Sequence, residues 1–147
     1  MLKIRQMTAD DYDGVNQLWR HTPGMGLNAT DDSREGISAY LRRNPTTCFV
    51  AQEEDEIVGA ILAGHDGRRG FIYHAAVSAE RRKSGIGTAL VWHAMQALER
   101  EGIHKAALVV FRRNENGNAF WESMGFSERS DLVYRNKNIT ELMRIDT

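Results

Sequence analysis

The segment from Val77 to Thr88 has the composition of a phosphate-binding turn: Val-Ser-Ala-Glu-Arg-Arg-Lys-Ser-Gly-Ile-Gly-Thr. Its three adjacent cations, Arg81 to Lys83, could neutralise an anion that carries more than one charge. Gly85 and Gly87 would let the backbone approach a ligand without interference from a Cβ atom. A helical pattern follows, and the first turn of a helix exposes unpaired N–H groups and a partial positive charge. On these residues alone, a phosphate site and a helix start with solvated charges are equally good interpretations.

Two common phosphate-binding motifs fit this segment poorly. A Walker A loop has its Lys after the second Gly, whereas Lys83 precedes both glycines. A dinucleotide-binding turn needs a third Gly, where Leu90 stands, and an acidic residue after the next strand, where Arg112 and Arg113 stand. The pattern that remains, from Arg82 to Gly87, has the form R-x-x-G-x-G.

The composition fits one folded domain spanning residues 1–147, since 41% of the residues are hydrophobic and 27% are charged. The formal net charge of −1 argues against general binding of nucleic acids, which needs a surplus of Lys and Arg. The single cysteine, Cys48, excludes an intrachain disulfide and a Cys-based zinc site, and His21, His93 and His104 lack metal-ligand spacing. We therefore expect no metal and no nucleic-acid partner.

The N-terminus places Lys3 and Arg5 where a signal peptide would need an apolar stretch. No apolar run approaches the roughly 18 residues that a membrane span requires. The sequence therefore predicts a soluble, cytoplasmic protein without a membrane partner.

The pattern of apolar residues predicts strands and helices along the whole chain. Thr8 is the expected N-cap of the first helix, and Asp31 or Asp32 is the expected start of the second. Phe71–Phe111 is a predicted strand–helix–strand unit, and its long crossover makes the two strands parallel. The predicted elements, in order, are strand Leu2–Gln6, a helix that ends before Pro23, a helix that ends before Pro45, strands Cys48–Ala51, Ile57–Ala63 and Phe71–Val77, helix Gly85–Glu101, strand Ala106–Phe111, helix Gly117–Met124, and strands Ser127–Arg129 and Leu132–Arg135.

A second segment, from Asn114 to Phe126, completes a recognisable pattern: Asn-Glu-Asn-Gly-Asn-Ala-Phe-Trp-Glu-Ser-Met-Gly-Phe. Together with the R-x-x-G-x-G turn and the order of the elements, it resembles the GNAT-type N-acetyltransferase family across nearly the whole chain. In that family, the turn follows the fourth strand, and an Asn after the fifth strand precedes a helix that ends in an aromatic residue and Gly-Phe.

The resemblance implies an α/β fold, the GNAT fold. This is a mixed twisted sheet of about six to seven strands with four helices, in the order β-α-α-β-β-β-α-β-α-β-β. Its parallel fourth and fifth strands are expected to splay apart.

The resemblance also implies that acetyl-CoA is the co-substrate and that its pantetheine arm lies between the splayed strands. Backbone groups of the fourth strand would bond to the arm, and the N–H groups from Lys83 to Thr88 would hold the pyrophosphate. Trp121 stands where the family often has Tyr, and it would shape the thioester pocket. The implied acetyl-CoA-binding residues are Ala75, Ala76, Val77, Arg82, Lys83, Ser84, Gly85, Ile86, Gly87, Thr88, Asn114, Asn118 and Trp121.

Acetyl transfer requires a neutral amine, so a base or a water relay must remove a proton. Many family members carry a carboxylate or His base on the fourth strand, but Phe71–Val77 contains no carboxylate. Period-two geometry divides this strand into two faces, with Phe71, Tyr73 and Ala75 toward the active site of the family and Ile72, His74 and Ala76 away from it.

Three side chains are catalytic candidates. Tyr73 would relay a proton through water or contact the substrate. An imidazole titrates nearer neutral pH than a phenol, but the face of His74 makes it a packing histidine unless the strand carries a bulge. Tyr134, on the last predicted strand, could approach the sulfur as a proton donor or pack in the core as an aromatic residue.

The loop from His21 to Thr30, between the first two helices, lies where the family commonly builds its acceptor site. Met25, Leu27 and Asn28 are the expected acceptor contacts in this loop, together with Tyr73. The two glycines of the loop suggest mobility, and methionine suits an adaptable apolar lining.

A second turn, from Gly64 to Gly70, has more charge than a hairpin needs, because it contains Asp66, Arg68 and Arg69. It could bind an acidic group of an acceptor or form a solvated hairpin tip.

We predict an N-acetyltransferase that transfers acetyl from acetyl-CoA to a primary amine by direct attack in a ternary complex. The alternative is an acyl-CoA-binding sensor with the same fold and little catalysis. The identity of the acceptor and the existence of a homodimer stay open.

Overall fold

A five-stranded sheet organises the fold, and its strands are neighbours in space in the same order as in the sequence. The computed structural model describes residues 1–146. The first four strands are antiparallel to one another, and the fifth is parallel to the fourth. The strands are β1 Leu2–Gln6, β2 Phe49–Glu53, β3 Glu56–His65, β4 Gly70–Val77 and β5 Ala106–Leu108.

Helices cover both faces of the sheet. Single turns of 3-10 helix precede the first helix, at Ala9–Asp11, and the third, at Ala79–Arg81. Within residues 1–146, no helix is long and apolar enough to cross a membrane. The α-helices are α1 Tyr12–Arg20, α2 Arg34–Arg43, α3 Ile86–Arg100 and α4 Glu115–Ser123.

The core consists of two clusters, one on each face of the sheet. From Ala60 to Ala63, residues of β3 contribute to the two clusters in alternation, as the period of a strand requires. Val58 lies outside this alternation, because the pairing of β3 with β2 shifts register beside it. The first cluster packs α1 and α2 on the sheet through Val15, Leu18, Trp19, Ile37 and Leu41, against Val50, Ala60, Leu62 and Ala76. The second packs α3 on the opposite face through Ile86, Leu90, Val91, Ala94 and Ala97, against Val58, Ile61, Ala63 and Ile72.

Helix α2 begins later than the sequence predicts. Its N-cap is Ser33, whose Oγ accepts a hydrogen bond from Gly36 N at 3.0 Å. Neither Asp31 nor Asp32 starts the helix, because a serine in extended conformation directly before the helix already caps it. Because Ser33 caps the helix, the carboxylate of Asp32 is not needed there, and its burial places it in contact with the interior.

The structure confirms the expected α/β class and element order through α4, but the two last predicted strands are not formed. In the described part of the chain, β5 is the final strand, and Val133 and Tyr134 lie exposed outside the sheet. The physical reason is the length of β5, which pairs with β4 over three residues and offers no long edge for further strands.

The end of the chain returns to the loop between α1 and α2. Ala29 N donates to Met143 O at 2.8 Å, and Ile145 N donates to Leu27 O at 2.9 Å. The segment after α4 therefore closes the α1–α2 loop instead of extending the sheet.

Strand β4 has two neighbours only in its first part. Gly70–Ile72 pairs with β5, whereas the described partners of residues 74–77 are all in β3. The predicted fifth strand, Ala106–Phe111, is thus shorter than expected, and Val109 and Phe111 are exposed. A free strand edge carries N–H and C=O groups that an extended ligand can pair with.

Candidate active site

Strand β4 carries one residue more than β3 at the centre of their pairing. Leu62 lies opposite His74, but the next residue of β3, Ala63, lies opposite Ile72. Tyr73 is therefore the extra residue of a β-bulge, a feature that re-aims the side chains on one side of it.

The bulge overturns the predicted division of β4 into two alternating faces. Ile72 belongs to the α3-side cluster, and so does Ala75. Tyr73 and His74 instead both face α1 and α2, where Tyr73 contacts Tyr40 of α2 and His74 contacts Trp19 of α1. The phenol and the imidazole thus share one side of the sheet.

Tyr73 is the exposed side chain at the bulge, with 57% of its surface accessible. Its ring lies 4.7 Å from the ring of Phe71 and 5.8 Å from that of Tyr40. Partial burial raises the pKa of Tyr73, and the nearby Tyr134 and Asp31 add to the increase. Tyr73 is consequently a neutral phenol at neutral pH and can hold a water molecule by hydrogen bonds without ionising.

His74 is buried and engaged, with 9% of its surface exposed. Its Nε2 lies 2.8 Å from Oδ1 of Asp32, which is 5% exposed, and the edge of its ring meets Trp19 at 4.8 Å. Its Nδ1 is buried and has no hydrogen-bond partner among residues 1–146. The imidazole therefore anchors β4 to the segment that precedes α2.

Asp32 extends this anchor into the α1–α2 loop. Its second oxygen, Oδ2, accepts a hydrogen bond from Asn28 N at 2.9 Å. The side-chain oxygen of Asn28 accepts from Thr30 N and Asp31 N, at 3.0 and 2.7 Å. One buried carboxylate thus fixes both the strand and the loop.

The predicted acceptor contacts in this loop differ in their placement. Leu27 is buried in the first cluster, so its side chain does not line an open surface. Asn28 uses its side-chain oxygen inside the loop, and Met25 is half-buried against the first cluster. Of these three side chains, only that of Met25 is both partly exposed and free of a hydrogen bond within the loop, so only Met25 can contact a bound molecule as it stands.

The three cations before α3 are not equivalent. Arg81 donates from Nε to Oε1 of Glu53 at 2.6 Å and is therefore used in the fold. Arg82 and Lys83 are exposed, and among the described residues neither forms an ion pair. Arg82 Nε donates only a long hydrogen bond to Val77 O, at 3.4 Å, so two of the three predicted cations keep a charge without an acidic partner among the described residues.

The backbone between these cations and α3 turns its N–H groups outward. Lys83 and Gly85 have φ angles of 65° and 87°, a conformation that costs glycine little but strains lysine. Ser84 Oγ donates to Arg81 O and holds the turn. Within residues 1–146, the N–H groups from Lys83 to Thr88 have no hydrogen-bond acceptor. Such a run of free donors at a helix N-terminus favours an anion.

Side chains at the start of α3 add packing to this turn. Ile86 is buried in the second cluster, so only its backbone is available to a ligand. A Cβ atom on Gly87 would lie 3.3 Å from Cζ of Phe120, so the glycine lets α4 pack closely against α3. Thr88 is exposed.

The predicted ligand-binding residues of α4 have structural contacts. Oδ1 of Asn114 accepts from Gly117 N at 2.9 Å and caps the helix. Asn118 Nδ2 donates to Phe111 O at 3.0 Å and so holds the loop after β5. Trp121 packs between Phe120 and Phe126 beside the second cluster.

The resulting site has an anion-binding end and a reactive end joined by one strand. The cationic turn lies directly after β4, the free edge of β4 runs back from it, and the bulge with Tyr73 lies where β4 parts from β5. This arrangement can hold a long molecule with a phosphate group at one end and a reactive group beside Tyr73.

Sequence reasoning did not decide two features of the site. One is the bulge, which it left open because no residue of β4 carries a local signal for it. The other is the pairing of Asp32 with His74, because in the sequence Asp32 fits the role of a helix cap equally well.

In the described chain, no group of three His, Cys, Asp or Glu side chains could hold a metal ion.

Comparison with known proteins identifies relatives by sequence. A model of the acetyltransferase (GNAT) family matches residues 12–126. Acetyltransferase plu1384 of Photorhabdus laumondii is 31% identical over 128 residues, which cover 87% of this chain and 88% of that protein. Acetyltransferase SG1711 of Sodalis glossinidius is 28% identical over 140 residues, covering 95% and 97%.

A solved structure shares the fold at lower sequence similarity. The PaiA N-acetyltransferase of Thermoplasma acidophilum, determined in complex with coenzyme A, has a TM-score of 0.74 and 16% identity. The match covers 98% of this chain and 97% of that protein.

The buried pair of Asp32 and His74 allows a test with a matched neighbour. Asp32→Ala should lower the free energy of unfolding by about 1–3 kcal/mol, because it leaves a buried imidazole without its partner. Asp31→Ala, at the exposed adjacent position, should change it by no more than about 0.5 kcal/mol. Urea unfolding of both variants measures the difference, and equal losses would show that the pair is not an anchor.

Proposed function

The chain belongs to the acetyltransferase (GNAT) family, whose co-substrate is acetyl-CoA, and from this premise we propose its reaction. The protein transfers the acetyl group of acetyl-CoA to a primary amine by direct attack in a ternary complex. The observation that carries this proposal is the free edge of β4, which runs from the bulge at Tyr73 to the cationic turn before α3.

The donor binds along β4 with its phosphates at the turn. Arg82 and Lys83 supply two positive charges that have no acidic partner among the described residues, and the N–H groups from Lys83 to Thr88 supply free donors. The backbone of Ala75 to Val77 pairs with the pantetheine amides as a neighbouring strand would. The thioester then lies near Tyr73.

The acceptor reaches the thioester from the side of α1 and α2, since the bulge turns Tyr73 to that side. The amine nitrogen attacks the thioester carbonyl carbon and forms the amide bond, and the carbon–sulfur bond breaks with release of the CoA thiolate. The amine loses its proton to a water molecule that Tyr73 holds. A protonated phenol suits this role because the raised pKa of Tyr73 keeps it from ionising.

Tyr134 is the candidate donor to the leaving thiolate. It lies in the exposed segment after α4, near enough to Tyr73 to contribute to its raised pKa. Trp121 cannot take that role, because an indole N–H is not acidic at neutral pH. Trp121 instead packs beside Phe120, at the end of α4 nearest to Gly87.

His74 acts as a positioning residue and not as the base. Its Nε2 is engaged by Asp32, and its ring is enclosed by the first cluster. Through these contacts it keeps the bulge in place and so aims Tyr73 at the site.

Release of free CoA thiol from acetyl-CoA, measured over a panel of primary amines, tests the reaction. Cys48 adds no background in the native protein, because burial raises the pKa of its thiol to about 12 and encloses it. We expect amine-dependent thiol release. Binding of acetyl-CoA without release for any amine would instead identify an acyl-CoA-binding sensor, which the lack of a carboxylate on β4 also fits.

Tyr73→Phe separates proton transfer from binding. It should lower kcat by about one to two orders of magnitude, because the water that accepts the proton loses its hydrogen-bond partner. KM for acetyl-CoA should hardly change, since the phosphate contacts lie at the other end of β4. An unchanged kcat would remove Tyr73 from the mechanism, and Tyr134→Phe would then be the next variant to measure.

Arg82→Gln tests the phosphate end of the site. It should raise the Kd of acetyl-CoA about three- to tenfold at low salt and less at high salt, because the exposed charge is screened. Arg100→Gln, at the other end of α3, is the matched control and should leave Kd within about twofold. Calorimetry at two salt concentrations measures both variants, and equal effects would place the phosphates elsewhere.

A further inference from the structure

A cavity of about 410 Å³ opens beside Tyr73, between the end of α2 and the β3–β4 hairpin. This volume falls within the usual range for small-molecule sites, roughly 300–1,000 Å³. Tyr73 lines the cavity, so the cavity is continuous with the proposed reaction centre. Its lining residues are Tyr40, Arg43, Asn44, Gly64, His65, Asp66, Arg69, Gly70, Phe71 and Tyr73.

Two guanidinium groups in the lining have no carboxylate partner among residues 1–146. Arg43 comes from the last turn of α2 and Arg69 from the hairpin, and both are exposed. Neither forms an ion pair with another described residue, and Arg69 Nη1 only donates to Arg68 O at 3.1 Å. Arginine in such a position suits a carboxylate or phosphate, which it can bind through two parallel hydrogen bonds.

The acidic groups near these arginines are already engaged. Asp66 Oδ1 accepts from Arg68 N and Arg69 N, at 2.8 and 2.9 Å, and these bonds lower the pKa of Asp66. Glu101 lies 3.2 Å from His65 Nε2, while His65 Nδ1 accepts from Gly67 N. The cavity lining therefore contains two arginines against one carboxylate, that of Asp66, whose Oδ1 is bound by the backbone of the hairpin.

The floor of the cavity contains an unused hydroxyl group. Tyr40 Oη is buried and has no hydrogen-bond partner within residues 1–146. It lies directly over Gly64, where any Cβ atom would overlap both Tyr40 Oη and the side chain of Asn44. The glycine therefore keeps space for the phenol, and Phe71 with Tyr73 forms an aromatic wall beside it.

We propose that this cavity is the acceptor site and that it selects a small primary amine that also carries an anionic group. Arg43 and Arg69 hold the carboxylate or phosphate, the aromatic wall contacts the stem, and the amine lies beside Tyr73. The proposal rests on the acetyl transfer proposed above. Arg69 and Tyr73 are separated by about 10–13 Å along the strand, which suits an acceptor with its two charges at opposite ends.

Matched amines test the selection. The probes are 6-aminohexanoate, 6-aminohexyl phosphate, hexylamine and 1,6-diaminohexane, which differ in the group opposite the amine. We expect KM to be at least about tenfold lower for the two anionic amines than for hexylamine, and the diamine to be poorest, because charge-assisted hydrogen bonds hold the anion. The ratio of the carboxylate and phosphate values identifies the preferred anion. Equal KM values, or a preference for the diamine, would overturn the proposal.

Two pairs of neighbouring arginines supply matched variants. Arg43→Gln and Arg69→Gln should each raise KM for the preferred anionic amine about tenfold or more and leave KM for hexylamine nearly unchanged. Arg42→Gln and Arg68→Gln remove the same charge one residue away, outside the cavity lining, and should alter neither value by more than about twofold. If both members of a pair behave alike, the effect is general electrostatics and the cavity is not the anion site.

A binding measurement separates this proposal from the reaction on which it rests. Hexanoate and hexyl phosphate lack the amine, so their binding can be followed by NMR shifts of the Gly64 and Gly70 amides without any turnover. Suppose that the anions bind to a protein that acetylates no amine, and that the double variant with Arg43→Gln and Arg69→Gln abolishes that binding. This result would refute only the acetyl transfer. Acetylation of amines without such binding would refute only the anion site.

Discussion

One extra residue in β4 determines the arrangement of the site. Because Tyr73 has no counterpart in β3, the side chains before and after it fall out of simple alternation. Tyr73 can therefore lie outward beside the cavity while His74, the next residue, lies inward against Trp19 on the same face. The parallel pairing with β5 ends directly before the bulge, so the strand edge becomes free where the phenol is placed.

The buried contact between His74 and Asp32 keeps this irregular strand in register with the rest of the fold. A bulge in a strand that nothing else held could slip, since a shift of one residue would return the side chains to ordinary alternation. Asp32 prevents this by bonding to the strand through one oxygen and to Asn28 N through the other. Loop, strand and helix α1 are thus fixed together, and the buried Nδ1 of His74 is left without a hydrogen-bond partner among residues 1–146.

The charge of the protein is nearly balanced overall, yet cations that have no acidic partner in the described part of the chain lie at both ends of β4. Arg82 and Lys83 follow the strand, and Arg69 precedes it. In each turn, part of the charge is used locally: Glu53 engages Arg81, and Asp66 binds the backbone of the hairpin. A donor with phosphates and an acceptor with an anionic end would therefore approach Tyr73 from opposite directions, with their negative charges kept apart.

The sequence by itself determined the alternation of strands and helices, the R-x-x-G-x-G turn and the parallel pair of strands, because periodicity, capping residues and glycine conformations are local properties of the chain. Tertiary structure alone decided the position of the bulge and the pairing of His74 with Asp32, since both depend on which residues of β3 and the α1–α2 loop meet β4. Tertiary structure also decided that the two last predicted strands stay outside the sheet. Strand β5 pairs with β4 over only three residues, so it is too short to offer these strands an edge.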